Sequence, residues 1–445
     1  MRINIPDEAG HIIGTLEENG YEAYAVGGCV RDSILGLDPK DWDICTSATP
    51  QQAKEVFSGR HIIETGLKHG TITLILDHKP FEITTFRVDG IYSDNRRPDT
   101  VEFVGSLKAD LARRDFTINA MAYSPKTGVV DFFGGMDDIR GIIKCVGEAG
   151  DRFREDALRI MRALRFASQL GFSIEEGTAK AVVENRGLLK NISAERVAAE
   201  LNKFIVGDSA AQLMQEYAPV FAEIIPELAP MFGFEQNHRF HCYDVWTHTL
   251  KSVENAPKDQ TLRLTMLLHD IAKPQCYLEE EDRGRFPGHQ QPGSEMAGRI
   301  LRRLRYDNET VDTVKQLILH HDAKIQPERK TVKRWLNRIG EHRLRQLIEV
   351  KKADIAAQDE KYLQERLDII TGVQSLADEI IEQQLCFSLK DLAVNGSDII
   401  ALGVREGAEI GTILNQLVDI VINEEADNDK AQLLEIAGKL KANSI

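Results

Sequence analysis

The sequence contains no run of about 18 apolar residues, which excludes a helical membrane span on hydropathy. Its first ten residues, MRINIPDEAG, show no basic stretch leading into an apolar one, so no secretory signal and a cytoplasmic location are expected. Cysteine is sparse: Cys29, Cys45, Cys145, Cys242, Cys276 and Cys386 are scattered through 445 residues, with no Cys-x-x-Cys pair. That excludes a disulfide framework and a cysteine-based zinc finger, and implies reduced thiols. Positive charge is in deficit, with 55 Lys and Arg against 70 Asp and Glu and a net charge of −15. A deficit of this size argues against a chain that is basic all over for nucleic acid. It does not exclude a local basic groove, and basic runs stand at Arg96-Arg97, Arg113-Arg114, Arg299 to Arg305 and Lys330 to Arg338. No internal repeat and no low-complexity linker is present.

Length predicts about three domains at roughly 100–200 residues each. The first part alternates strand and helix signals. Residues 21–27 read as a strand ending in a Gly-Gly turn, followed by a short helix, CVRDSILG. Asp41 to Cys45 reads as a second strand. Residues 71–76 and 81–86 form a hairpin pattern around the turn signal DHKP, and residues 101–104 extend the sheet. From about residue 151 the periodicity becomes helical, with residues 153–170 as one long amphipathic segment. The expected class is therefore α+β. A head with a mixed or antiparallel sheet and helices spans residues 1–146. An all-helical neck (147–210), body (211–360) and tail (361–445) follow.

The sharpest local feature is GGCVRD followed by KDWD. Asp41 and Asp43 are two apart on a predicted strand, so their carboxylates share a face. Such a pair can bridge hard divalent cations such as Mg²⁺. Two such ions suit in-line attack on a nucleotide α-phosphate. Gly27 and Gly28 let backbone amides approach phosphate at the next helix N-terminus. Glu82, alternating with Ile83 on a later strand, is a candidate third carboxylate. In isolation, an Asp-x-Asp is two solvated surface acids.

GGCVRD with DWDICTSATP resembles the signature of class II nucleotidyltransferases of the polymerase-β superfamily, which includes bacterial CCA-adding enzymes and poly(A) polymerases. The resemblance implies that Asp41 and Asp43 are the catalytic metal ligands. It also implies that Arg31 and Asp32 contact the triphosphate or brace the turn. In RRDFTINAMAY, Arg114 can reach phosphate as a charge-assisted donor. Asp115 and Asn119 are four apart and, on a helix, share a face suited to ribose hydroxyls. The segment resembles the family's ribose motif. In EDALRIMRALRF, Asp156 and Arg159 are three apart. A carboxylate accepting from an exocyclic amine and a guanidinium donating to a ring acceptor can imitate a pairing base, choosing C and A over G and U. The alternative is an ordinary salt bridge. By resemblance, Glu155 orients Arg159, and Arg162 and Arg165 continue the ridge toward triphosphate. SAERVAAELN resembles the next motif, where Glu195 and Arg196 brace the template helix.

Residues 87–100 carry turn formers. The pattern Asp89, Gly90, Tyr92, Asp94, Arg96, Arg97 and Pro98 resembles the loop that CCA-adding and A-adding enzymes keep and CC-adding enzymes lack. A second constellation lies in the body: His248, His269-Asp270, His289, His320-His321 and Asp354. Imidazole and carboxylate groups can hold a transition metal or Mg²⁺, which can activate water against a phosphoester. HDIAKP resembles the core of the HD phosphohydrolase superfamily, with Ala272 at a Gly position. Either His320 or His321 is the ligand. In the tail, LAVNGSDIIALG and REGAEIGTIL resemble the segment with which CCA-adding enzymes grip tRNA, and Lys330, Lys333 and Arg334 are candidate phosphate contacts. The expectation is template-independent addition of CCA to the tRNA 3′ acceptor end from CTP and ATP. An A-adding enzyme, a bacterial poly(A) polymerase, an HD phosphohydrolase with an RNA-binding head, and a non-enzymatic RNA-binding module are the alternatives.

Overall fold

The computed structural model describes residues 1–90, 100–237, 242–280, 283–405 and 407–442. It divides into two compact units, Met1–Ala229 and Pro230–Ile445.

The first unit opens with α1 (Asp7–Glu18), which buries Ala9, Ile12, Ile13 and Leu16, spaced at three and four residues as an amphipathic helix requires. Next come β1 (Ala23–Val26), α2 (Gly28–Ile34), β2 (Ile44–Thr46) and α3 (Pro50–Val56). Thr49 starts α3 through a capping box with Gln52. β3 (His61–Ile63), β4 (Thr71–Leu76) and β5 (Lys79–Thr85) follow. Asp77 and His78 join β4 to β5 with φ of 46° and 64°. A two-residue loop with both φ positive matches the twist of a hairpin.

Among the described residues, β6 (Arg87–Asp89) and β7 (Val101–Phe103) pair only with each other. The sheet extension expected at 101–104 is thus a separate hairpin. Phe86 turns into the core at the end of β5, and beyond it Gly90 N donates to Thr100 O at 2.8 Å, holding the pair to itself. After α4 (Leu107–Ala112) come β8 (Met121–Ser124), β9 (Gly128–Asp131) and α5 (Gly135–Asp138). The main sheet runs β3-β4-β5-β2-β1-β8-β9, with β2 and β5 parallel and the other pairs antiparallel.

A parallel pair, β10 (Ile142–Ile143) with β11 (Ser173–Ile174), brackets α6 (Ala149–Glu155) and α7 (Leu158–Leu170). The expected single helix over 153–170 is therefore two: Asp156, at φ −131° and ψ 102°, leaves helical geometry between them. α8 (Glu176–Glu184), α9 (Ala194–Ile205), α10 (Ala210–Glu216) and α11 (Ala218–Ile224) complete the unit.

Among the described residues, the second unit is helical apart from one hairpin. α12 (Val245–Asn255) and α13 (Gln260–Leu268) precede β12 (Leu278–Glu280) and β13 (Arg283–Arg285), strands the helical reading did not include. Then come α14 (Gln290–Arg303), α15 (Asn308–His320), α16 (Arg329–Ile339), α17 (Glu341–Ala356) and α18 (Leu363–Glu382). The last three helices, α19 (Gly396–Ala401), α20 (Ala408–Ile422) and α21 (Lys430–Ala442), close over a core of their own that includes Ile399, Leu417 and Leu433.

Candidate active site

Strand pairing of β2 begins at Ile44, so Asp41 and Asp43 lie just ahead of the strand rather than within it. The Asp43 carbonyl still accepts from Val26 N at 3.0 Å, which keeps this approach against β1. Ile44 stands opposite Ile83 in the parallel β2–β5 pair, so Asp43 is brought beside Glu82. Desolvation raises the Asp43 carboxyl above its ordinary value; Glu82 and Asp41 push it up further, and Arg114 opposes them. Carboxylates that disfavour one another's charge in this way form a donor set that suits a hard divalent cation.

Arg114 reaches this group over a glycine. Gly27 has φ +83°, donates its N–H to Met121 O at 3.1 Å, and would place a Cβ 2.9 Å from Arg114 Nη1. Gly28 opens α2, where a Cβ would meet only Arg31 Nη2 at 3.7 Å. Arg31 donates to Asn119 Oδ1 at 2.7 Å and to Asp32 Oδ1 at 2.8 Å. Asn119 Nδ2 donates to Asp115 Oδ1 at 3.1 Å, and Arg162 Nε donates to Asp115 Oδ2 at 2.8 Å. These residues do not share one helix. α4 ends at Ala112, and a single 3₁₀ turn covers Thr117–Asn119. Burial works to raise the Asp115 carboxyl, but Arg162, Asn119 and Arg159 more than offset it and hold it at about 2.

Asp156 and Arg159 do not pair with each other. Asp156 Oδ1 accepts from Leu158 N at 3.1 Å and Oδ2 from Arg196 Nη2 at 3.0 Å. Arg159 donates to Glu155 Oε2 at 2.7 Å and to the carbonyls of Arg152 and Arg113 at 3.2 and 2.9 Å. Each side chain is held from behind by its own partner.

Two buried carboxylates belong to this network and were not singled out from the sequence. Asp110, fully buried, accepts from Arg113 at 2.8 Å, lies 3.4 Å from Arg114, and accepts from Arg87 N at 3.3 Å. Glu200 lies 2.6 Å from Arg165 and 4.0 Å from Arg162. The available signal was position: Glu200 shares the face of α9 that buries Val197, Leu201 and Phe204. An acid on such a stripe has to find a cation. In the loop, Tyr92, Asp94, Arg96, Arg97 and Pro98, and the side chain of Asp89, lie outside the described residues.

In the second unit four histidines converge. Each donates Nδ1–H to a backbone carbonyl: His248 to Ala357 at 3.1 Å, His269 to Met266 at 2.7 Å, His289 to Phe286 at 2.9 Å and His321 to Ile318 at 2.7 Å. This assigns their tautomers and turns the Nε2 atoms to one centre. His248 Nε2 is 3.0 Å from Asp354 Oδ1 and 3.4 Å from His269 Nε2, which is 3.1 Å from Asp270 Oδ2. Asp270 Oδ1 lies 3.3 Å from His289 Nε2 and 3.7 Å from His321 Nε2. His321, not His320, is brought to the cluster. His320 stands one residue earlier, turned about 100° around α15, with its ring against Trp335 at 5.1 Å. A cavity of about 890 Å³ adjoins the cluster, lined among others by Lys273, Arg285, Lys324, Lys351, Arg366 and Tyr362. Burial brings the Lys351 ammonium down to about 8. Of the basic residues proposed for RNA, Lys330 is exposed, whereas Lys333 is buried and Arg334 donates to Asn423 Oδ1 at 2.6 Å.

Three family models match in succession: "Poly A polymerase head domain" over residues 23–143, "Probable RNA and SrmB-binding site of polymerase A" over 171–232, and a putative "tRNA nucleotidyltransferase domain 2" over 291–437. A CCA-adding enzyme of Ligilactobacillus salivarius strain UCC118 is 35% identical, over 98% of this chain and 98% of its own length. One from Limosilactobacillus reuteri strain DSM 20016 is 34% identical, over 96% and 95%. Among solved structures, the Bacillus stearothermophilus CCA-adding enzyme in complex with CTP is 30% identical, covers 98% of each chain and superposes with a TM-score of 0.70. The Thermotoga maritima CCA-adding enzyme complexed with tRNA, at 19% identity and a TM-score of 0.63, shares the fold.

Proposed function

We infer the function from one premise: this chain belongs to the CCA-adding enzyme family. It is a tRNA nucleotidyltransferase that adds CCA to tRNA 3′ ends from CTP and ATP, and like its family it uses divalent metal. The observation that carries the template-free reading is the separate anchoring of Asp156 by Arg196 and of Arg159 by Glu155. Two opposite charges locked apart present a fixed acceptor and a fixed donor to an incoming base. A mutual salt bridge would consume both.

The tRNA 3′ oxygen attacks the α-phosphorus, the bond to the β-phosphate breaks, and pyrophosphate leaves. Asp41 and Asp43, with Glu82 beside them, are the ligands for metal. Bound there, Mg²⁺ would favour ionisation of the attacking hydroxyl and hold the leaving pyrophosphate. Arg114, Arg162 and Arg165 take the triphosphate by charge-assisted hydrogen bonds. Gly27 and Gly28 keep the approach to α2 open. Arg31 is committed to Asp32 and Asn119 and braces the turn. Asp115 has its acceptor capacity taken up by Phe116 N, Asn119 and Arg162. A ribose hydroxyl reaches it by replacing Arg162, whose side chain is 33% exposed. Residues 1–146, 147–210, 211–360 and 361–445 serve as head, neck, body and tail, the last gripping tRNA. No helix among the described residues is long and apolar enough to cross a membrane, and we place the protein in the cytoplasm.

Radiolabelled CTP and ATP offered to tRNA transcripts lacking CCA, ending in C and ending in CC test the reading. Completion of all three, with growth stopping at CCA, is expected. Addition of A to the CC-ended transcript alone would make this an A-adding enzyme, and open-ended A-tailing a poly(A) polymerase.

A second reading rests on the second unit: inward-facing Nε2 atoms of His248, His269, His289 and His321, with Asp270 and Asp354, are a ligand set for a divalent metal. Beside a cavity whose lining includes Lys273, Arg285, Lys324, Lys351 and Arg366 as well as Asp322 and Glu365, that set supports metal-dependent hydrolysis of a phosphoester. Opening of 2′,3′-cyclic AMP to a nucleoside monophosphate, or release of phosphate from 2′-AMP, that survives loss of Asp41 and Asp43 would establish it as independent of the head.

A further inference from the structure

Phe166 has a setting unlike that of an ordinary core aromatic. Three guanidinium carbons lie over its ring, those of Arg165, Arg31 and Arg162, at 3.9, 4.9 and 5.4 Å from the centroid. Arg31 comes from α2, the other two from α7, so this one ring links the glycine turn to the helix after Asp156. The ring is itself fixed, edge to face against the fully buried Phe116 at 5.8 Å and 81°.

Three like charges in so small a space repel one another. Asp32, Asp115 and Glu200 offset them from the far sides. Between the cations stands a π face. A carboxylate there would attract them equally well, but it would also occupy their N–H groups. An aromatic face attracts a cation through its quadrupole and accepts none of its in-plane hydrogen bonds. The N–H groups not already held by Asp32, Asn119, Asp115 and Glu200 stay available to an anion that arrives later.

We propose that Phe166 is a positioning residue that holds Arg162 and Arg165 together as a triphosphate clamp, with Arg31 as its fixed edge. The proposal rests on the assignment of Arg162 and Arg165 to triphosphate. It goes beyond that assignment in making nucleotide affinity depend on the electron density of a side chain that never touches the nucleotide. The triphosphate is common to both substrates, so the effect is the same for CTP and ATP.

The test replaces Phe166 by 4-fluoro-, 3,4-difluoro- and 3,4,5-trifluorophenylalanine in the full-length enzyme. The series keeps the shape of the ring and drains its face stepwise. KM for CTP and for ATP should rise together along the series, roughly three- to ten-fold by its end, with kcat and the melting temperature nearly constant. Phe166→Leu should exceed the whole series, and Phe166→Tyr should restore the wild-type KM. A flat KM across the series, or a rise for only one nucleotide, overturns the proposal. Arg162→Gln in the unmodified protein separates the two levels. A raised KM with a flat fluorinated series removes Phe166 alone. An unchanged KM in Arg162→Gln removes the triphosphate assignment and the proposal with it.

Discussion

Replacing Gly27 by alanine should damage the enzyme twice, whereas the same change at Gly28 should leave its stability intact. Gly27 sits at φ +83° and ψ −126°, a region closed to side chains other than glycine. Holding alanine there costs on the order of 1–3 kcal/mol in backbone strain. The new methyl group would also stand 2.9 Å from Arg114 Nη1, so the guanidinium must shift. Taking about 2 kcal/mol for the backbone, and roughly 2–4 °C per kcal/mol for a unit of this size, the first unit should melt about 4–8 °C lower. Displacing Arg114 also removes a cation that offsets the charge of Asp43. Incorporation should therefore fall by more than the unfolded fraction explains. At Gly28 the added methyl group makes an ordinary contact at 3.7 Å, and φ is not positive. Gly28→Ala should unfold within about 0.5 kcal/mol of wild type, while losing nucleotide affinity if backbone there meets phosphate. Calorimetry on both variants, with KM for CTP, checks this. Equal stability of Gly27→Ala and wild type would refute the strain argument. Equal losses at both glycines would refute the assignment of the clash to Arg114.

Three other outcomes are expected. Asp41→Ala with Asp43→Ala should abolish incorporation without changing the circular dichroism spectrum; retained turnover would dismiss them as metal ligands. Asp115 is held at about 2, below an ordinary carboxylate, so it stabilises the fold above about pH 4 and loses that contribution as pH falls toward 2. Asp115→Asn should therefore narrow the acid-unfolding difference between pH 5 and pH 2 by about 2 kcal/mol, and an unaltered acid limb would count against the Arg162 pairing. Metal content per chain, read by mass spectrometry after dialysis, should drop in His321→Ala and hold in His320→Ala; the reverse would reassign the cluster.

Much of the head was legible because its signals are local. The hairpin at DHKP follows from two residues that tolerate positive φ, and GGCVRD announces a turn into a helix. The strand was started three residues early, at Asp41 rather than Ile44, because alternation continues through Trp42 while the pairing that defines the strand depends on β1 and β5, which are distant in sequence. The break at Asp156 was not legible: Phe153, Ala157, Leu158 and Met161 keep a helical rhythm across it, and of the two groups that hold the carboxylate at a helix start, Leu158 N is local but Arg196 lies forty residues on. Asp110 escaped for the same reason, while Glu200 showed only as an acid on the apolar stripe of α9. A buried acid differs from a solvated one only in what packs over it. The choice of His321 over His320 needed the rotational phase at the end of α15, which composition does not carry.

The order of strands in the main sheet has a consequence for a chain still being made. The carboxylate pair waits on a parallel contact between β2 and β5, and β1, which Asp43 borders, is enclosed on its other side by β8, some hundred residues downstream. Parallel and non-local pairings form late, after the loops between them have closed. Phe166, Arg162 and Glu200 lie later still, beyond the last strand of that sheet. A nascent or truncated head can thus have most of its sheet and yet lack the contacts of Arg162 with Asp115 and of Arg165 with Glu200. The site of an enzyme that needs no template is therefore complete only once the whole N-terminal unit has closed around Phe166 and its arginines.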